Sequence, residues 1–133
     1  MASFAAFHGQ RFLNLETYRK NGSPVQTPVG FIEKGTGLLI RTQVRTGKVK
    51  RMRANPKVRI VPSTGRGEVR GVWQEAHAQE LSAEESAKAK TLFLRKYGLI
   101  WWFLEIAQPW LRRDKTIQWT TFRVTSEGSE QNS

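Results

Sequence analysis

The chain has 133 residues, a length that suits one domain with a hydrophobic core of its own. It contains no cysteine, which excludes disulfide scaffolds, thiolate metal sites and cysteine nucleophiles. Two histidines, His8 and His77, are too few for a multi-histidine metal site. The net charge of +11 favours anionic partners such as phosphate esters, carboxylates or nucleic acid.

The chain organisation predicts a single domain over residues 1–125 and a disordered polar tail over residues 126–133. The N-terminal residues lack the basic and apolar regions of a secretory signal, so we expect a cytoplasmic protein.

Alternation of apolar and polar residues predicts most of the regular structure. Asn21-Gly22 and Gly35-Thr36-Gly37 favour tight turns between the first three strands, which we expect to form an antiparallel meander. Strands are predicted at residues 12–18, 25–32, 38–42, 58–61, 69–79 and 116–124. On these strands we expect Glu16 and Tyr18 to face solvent and His77 to be a half-buried structural residue.

Two segments follow helical spacing instead. In residues 46–54, Val49 and Met52 are three apart among basic residues, and Asn55-Pro56 ends the helix. Ser82 to Glu85 has the pattern of a capping box, which predicts a longer helix that ends near Gly98. The sequence therefore predicts a mainly β protein. We expect a small closed barrel of about six antiparallel strands, with a short basic helix after the third strand and a longer helix before the last.

The tryptophan-rich run at residues 99–107 is half the length of the roughly 20 residues that a membrane span requires. We therefore predict no membrane span. The run favours packing in the core or at a subunit interface; the alternative is shallow contact with a membrane surface through the tryptophans.

A stretch whose charged residues are all basic marks the candidate binding segment. Residues 34–66 contain ten Lys or Arg and no Asp or Glu, which is typical either of an anion site or of a solvated basic face. A strand delivers Arg41 and Thr42 to a turn, and Thr46-Gly47-Lys48 then opens the basic helix. Amide groups at a helix N-terminus, a hydroxyl and a lysine suit a phosphate.

A resemblance to a known family covers nearly the whole chain except the tail. It rests on these segments, in order: residues 12–22, Val25-Gln-Thr-Pro-Val29, Arg41-Thr42, Thr46-Gly-Lys-Val-Lys-Arg51, Asn55-Pro-Lys-Val58 and Arg95-Lys-Tyr-Gly98. Together they are similar to the pyridoxamine 5'-phosphate oxidase-like superfamily, a split β-barrel fold that binds FMN. The fuller set resembles its branch of coenzyme F420 (deazaflavin)-dependent enzymes.

The resemblance implies where a cofactor binds. It implies that the phosphate lies at Thr42, Thr46, Gly47 and Lys48, with Arg41 and Lys50 as neighbours. It implies that the segment Gln26, Thr27, Pro28 and Val29 runs along the flavin or deazaflavin ring. Where the family usually has a bulky aromatic residue, this chain has Gly30, which predicts extra room or a weaker wall near the ring.

The same resemblance implies an oxidoreductase that forms a homodimer with the cofactor at the subunit interface. The wide basic field favours F420, which has a longer polyanionic tail, over FMN, the alternative. The cofactor would deliver hydride to a small organic acceptor, and the sequence identifies no catalytic residue and no resident metal. Two other functions remain open, a basic nucleic-acid-binding barrel and a non-catalytic carrier of a cofactor or haem.

Overall fold

The computed structural model describes residues 4–107 and 118–126. Six antiparallel strands form a closed barrel in the order β1-β2-β3-β6-β5-β4. The strands are β1 (Phe12–Tyr18), β2 (Pro24–Lys34), β3 (Gly37–Gln43), β4 (Lys57–Ser63), β5 (Gln74–Glu80) and β6 (Trp119–Ser126). The closed barrel confirms the predicted fold class.

Among the described residues, three α-helices lie outside the sheet. They are α1 (Gly47–Ala54), α2 (Ala83–Tyr97) and α3 (Leu99–Trp102), and a π-helical turn, Phe103–Ala107, follows α3 directly. A short 3-10 helix, Ala5–Phe7, precedes β1. The Ser82 hydroxyl accepts a hydrogen bond from the Glu85 amide and begins α2, as the sequence predicted. No helix in the described ranges is long and apolar enough to cross a membrane.

Two apolar clusters stabilise the fold. Inward-facing residues such as Leu13, Ile40 and Phe122 fill the barrel, and α1 closes one end of it with Val49 and Met52. The second cluster lies outside the barrel, where α2 covers β2 and β3 with Phe93, Tyr97 and other residues. Because β-strand side chains alternate, one sheet supplies both clusters.

The prediction of a strand over residues 69–79 is wrong in its first half. The strand begins at Gln74, and before it the chain makes only an isolated bridge between Ser63 and Val69. Gly67 has a positive φ of 90°, which ends regular extension, and the Arg70 amide donates to the Pro62 carbonyl so that this loop lies against β4. The last strand begins at Trp119; residues 116–117 and most of the predicted tail, 127–133, lie outside the described residues.

Candidate functional site

An open cleft of about 520 Å³ lies between α1 and the end of β1. The helix contributes residues at a spacing of three or four, which is one face of an α-helix. The lining consists of Tyr18, Arg19, Lys20, Gly47, Lys50, Arg51, Ala54 and Asn55. We call this the α1 cleft.

The α1 cleft is cationic. Arg19, Lys20, Lys50 and Arg51 line it, and none of its lining residues is acidic. Burial, with a smaller contribution from the charge of Arg19, lowers the pKa of Arg51. Like charges held this close repel each other, so an anion bound between them is stabilised.

The N-terminus of α1 opens into this cleft. Thr46 is the N-cap residue, but its hydroxyl donates to the Gln43 carbonyl at 2.8 Å and makes no capping bond to the helix. A side chain on Gly47 would collide with the Arg51 guanidinium, since a Cβ there would lie 2.6 Å from Nη1. The cationic side chain therefore lies against the helix N-terminus, where the dipole also favours anions. Arg51 is kept in place by Nε, which donates to the Thr17 hydroxyl at 2.7 Å.

Lys48 lies on a neighbouring face of α1. Its side chain is partly buried, and burial, together with the charge of Arg51, lowers its pKa. In the part of the chain that the structure describes, no carboxylate forms an ion pair with Lys48. A half-buried ammonium group without a counter-ion is the donor that a phosphate group would complete.

The structure separates Arg41 from the other predicted phosphate residues. Its guanidinium is buried under α2, where Nε and Nη2 donate to the Glu105 carboxylate at 2.6 and 2.7 Å. Nη1 donates to the Ser86 carbonyl and to the Ser86 and Thr121 hydroxyls. With these donors engaged, the Arg41 guanidinium is buried against Glu105 and does not line the α1 cleft. Thr42, the next residue, is buried beside Thr120 on β6.

The predicted ring segment lies on β2 and does not line the α1 cleft. Gln26 is exposed and donates to Glu16 at 2.9 Å, while Val29 is buried in the barrel. Thr27 is half-buried, and Pro28 is exposed beside Gly67. None of residues 26–29 is among the lining of the α1 cleft.

The prediction that Glu16 faces solvent is wrong. Glu16 is 1% exposed because Arg59, its register partner on β4, forms a two-point ion pair with it. Tyr18 also donates to Glu16, at 2.7 Å, and the Trp73 ring lies under the Arg59 guanidinium. These donors, with Arg59 the largest cause, lower the pKa of Glu16 to about 2.

Gly30 does not open a pocket. A Cβ at this position would lie 3.0 Å from the Trp101 ring and 3.2 Å from the Tyr97 ring. The Tyr97 hydroxyl also bonds to the backbone of Phe31, so its ring is fixed in place. The space that an aromatic residue on β2 would take is occupied by aromatic residues of α2 and α3.

Sequence reasoning missed Tyr18, Arg19 and Lys20 as candidate site residues, and it treated Arg51 as part of a diffuse basic field. A signal for Arg51 is its spacing of four from Gly47, which places both on one helix face. Tyr18 ends β1, Arg19 and Lys20 begin the β1–β2 turn, and only the tertiary fold brings these residues to α1. Among the described residues, no group of three His, Asp or Glu side chains could hold a metal ion.

The family comparison agrees with this architecture. The family model described as pyridoxamine 5'-phosphate oxidase matches residues 2–124, almost the whole chain. The chain belongs to this family. A comparison with curated proteins gave no match.

Solved structures show the same fold over most of the chain. The haem storage protein HutZ of Vibrio cholerae is 17% identical, with 92% of this chain and 85% of that chain covered and a TM-score of 0.68. A pyridoxamine 5'-phosphate oxidase-like protein of Listeria innocua is 10% identical over 92% and 89%, with a TM-score of 0.64. A FAD-binding protein of Mesorhizobium loti is 20% identical over 92% and 83%, with a TM-score of 0.58. At these identities the likeness shows the fold alone.

Proposed function

We propose that this member of the family is an F420-dependent oxidoreductase whose α1 cleft binds the phosphate and the anionic tail of the cofactor. The observation that carries the proposal is a cleft of about 520 Å³ beside a helix N-terminus, lined by cations and by no carboxylate. Family membership supports a flavin-like cofactor, and the FAD-binding likeness from Mesorhizobium loti fits the same choice.

The extent of the positive charge supports F420 over FMN. A single phosphate would be satisfied by Lys48 and the amide groups at the start of α1. Arg19, Lys20 and Lys50 then remain along the cleft, in line with a ligand whose charge continues beyond its phosphate. F420 carries a phosphodiester and a tail of glutamates, whereas FMN ends at its phosphate.

Each residue of the proposed site has a physical role. Lys48 and Lys50 supply charge, Gly47 allows close approach at the helix N-terminus, and Thr46 marks the start of α1. Thr42 supports this end of the barrel from β3. Arg51, which Thr17 holds against Gly47, adds a fixed cation that we include in the site.

We further propose that the cofactor lies between two subunits of a homodimer. Residues 26–29 do not line the α1 cleft of their own barrel, and a second copy would bring the ring segment of one subunit to the cleft of the other. The bound cofactor supplies hydride transfer to a small organic acceptor. The protein contributes orientation and exclusion of water.

Replacing Lys48 tests the phosphate assignment. We expect Lys48→Ala to weaken F420 binding at least about tenfold, or about 1.4 kcal/mol, because a charge-assisted contact to phosphate is lost. The measurement is a titration that follows F420 fluorescence. Lys88→Ala is the matched control, because Lys88 is an exposed lysine on α2, whereas Lys48 is in the first turn of α1, next to Gly47 of the α1 cleft.

Equal affinities for the Lys48→Ala variant and the wild-type protein would overturn the phosphate assignment. A similar loss in Lys88→Ala would show that the binding follows overall charge and does not depend on this site. Tighter binding of FMN than of F420 would change the choice of cofactor and leave the location of the site in place.

A further inference from the structure

One face of the molecule concentrates exposed apolar side chains. Seven large apolar residues are exposed in the described chain, and five of them lie within six consecutive positions. These five are Leu99, Ile100, Trp102, Phe103 and Leu104, with exposures from 41% to 82%. We call them the apolar patch. A cluster of this kind on a folded domain marks an interaction surface.

Buried polar contacts fix the segment that carries the apolar patch to the barrel. Trp101 and Glu105, four residues apart, point inward from the same segment, and the Trp101 indole donates to Glu105 at 2.9 Å. Glu105 in turn is paired with Arg41 on β3 and is 8% exposed. The one carboxylate among residues 99–105 is therefore buried, and the outward side of the segment carries no negative charge.

The border of the apolar patch is cationic. The last turn of α2, which leads into the patch through Gly98, carries the exposed Arg95. Lys96 beside it is half-buried, and its ammonium donates to the Phe31 carbonyl at 2.7 Å. The acidic residues Glu84 and Glu85 lie in the first turn, at the far end of the helix. Arg11 also lies at this end of the molecule, with its guanidinium 5.5 Å from the centre of the Tyr97 ring.

We infer that the apolar patch docks the protein on an anionic phospholipid bilayer surface. Tryptophan and phenylalanine insert into the boundary between headgroups and acyl chains, and adjacent arginine and lysine attract anionic headgroups. An apolar surface, the exposed Arg95 and Arg11 near it and a buried carboxylate match that requirement. The net charge of +11 adds attraction over longer range.

The alternative occupant is a second copy of the chain, and charge disfavours it. In a symmetric dimer the same surface is used twice, so the cationic border of one copy would approach that of the other. Like charges at an interface oppose association, whereas a bilayer of opposite charge favours it.

Vesicle binding tests the inference on the full chain. The probes are phosphatidylcholine vesicles with and without about 30 mol % phosphatidylglycerol, and the readout is the fraction of protein that sediments with the lipid. We expect at least about tenfold stronger partitioning to the anionic vesicles, with a decrease at high salt. We expect Trp102→Ser/Phe103→Ser to reduce the partitioning about tenfold, because the inserted apolar area is lost.

Val72→Ser is the matched control, because Val72 is 81% exposed on a loop outside the apolar patch. It should leave partitioning unchanged, and thermal unfolding should show that both variants are folded. Failure of the wild-type protein to bind anionic vesicles would overturn the inference, as would equal binding by the double variant. A double variant that turns a dimer into a monomer in sedimentation velocity, with no vesicle binding by the wild type, would assign the surface to self-association.

Discussion

At the residue scale, Glu16 shows how this barrel buries a carboxylate by giving it charged and polar partners. Its side chain is on the outer face of β1, where strand alternation predicts contact with water. Arg59, Gln26 and Tyr18 satisfy the carboxylate, and the loop that precedes β5 packs on the same face, where Asn14 donates to the Gly67 carbonyl and Trp73 lies under Arg59. Alternation along one strand cannot report a loop that packs on it from 50 residues further along the chain. This is why the sequence predicted the strand correctly and the exposure wrongly.

The lowered pKa of Glu16 predicts acid sensitivity. The pKa of Glu16 is about 2 in the folded protein, against an ordinary value of 4.5. The ionised carboxylate therefore stabilises the fold above pH 4.5, and this stabilisation is lost as the pH falls toward 2. The shift corresponds to about 3 kcal/mol at neutral pH, of which about 2 kcal/mol is lost by pH 3. Glu16→Gln should remove this part of the pH dependence of the free energy of unfolding.

Urea unfolding at pH 7 and pH 3 measures this pH dependence of the free energy of unfolding. Glu68→Gln, at an exposed loop position, is the control and should lose as much free energy of unfolding between pH 7 and pH 3 as the wild-type protein does. If Glu16→Gln loses as much stability between the two pH values as the wild type does, the ion pair with Arg59 does not govern acid stability.

At the element scale, the segment that follows α2 is fixed to the barrel by a buried ion pair. Arg41 on β3 and Glu105 in the π-helical turn are 64 residues apart, and Ser86 on α2 joins the same network. The sequence predicted α1 and α2 well because their caps and spacing are local. Neither the Arg41–Glu105 pair nor the filling of the space at Gly30 is local, so neither could be predicted.

Breaking this pair separates two roles for Arg41. We expect Arg41→Met to destabilise the fold by about 3 kcal/mol, because the buried Glu105 then loses its two-point ion pair and keeps only the Trp101 indole and the more distant Lys90 ammonium, at 3.9 Å. Arg41→Met combined with Glu105→Leu should recover most of that loss, since no charge remains buried. The measurement is a double-mutant cycle by urea unfolding.

The opposite pattern would restore the role that the sequence predicted for Arg41. That pattern is a stable Arg41→Met variant with weakened cofactor binding and no coupling to Glu105.

At the scale of the whole molecule, the order of elements could be predicted from the sequence, because turns, helix caps and strand alternation each act over a few residues. The α1 cleft could be predicted only in part. Gly47 and Lys50 are brought together as expected, but Arg19 and Lys20 join them through closure of the barrel. The predicted ring segment on β2 does not line the cleft of its own chain. A subunit interface depends on a second copy, so the sequence predicts it only through resemblance.

The choice of cofactor is the central claim, and a direct comparison of ligands tests it. The wild-type protein is titrated with F420, FMN and haem under the same salt conditions, with ligand fluorescence or absorbance as the readout. The cationic length of the α1 cleft predicts that F420 binds most tightly and that its affinity falls steeply with added salt. Tighter binding of FMN or haem than of F420 would contradict the account.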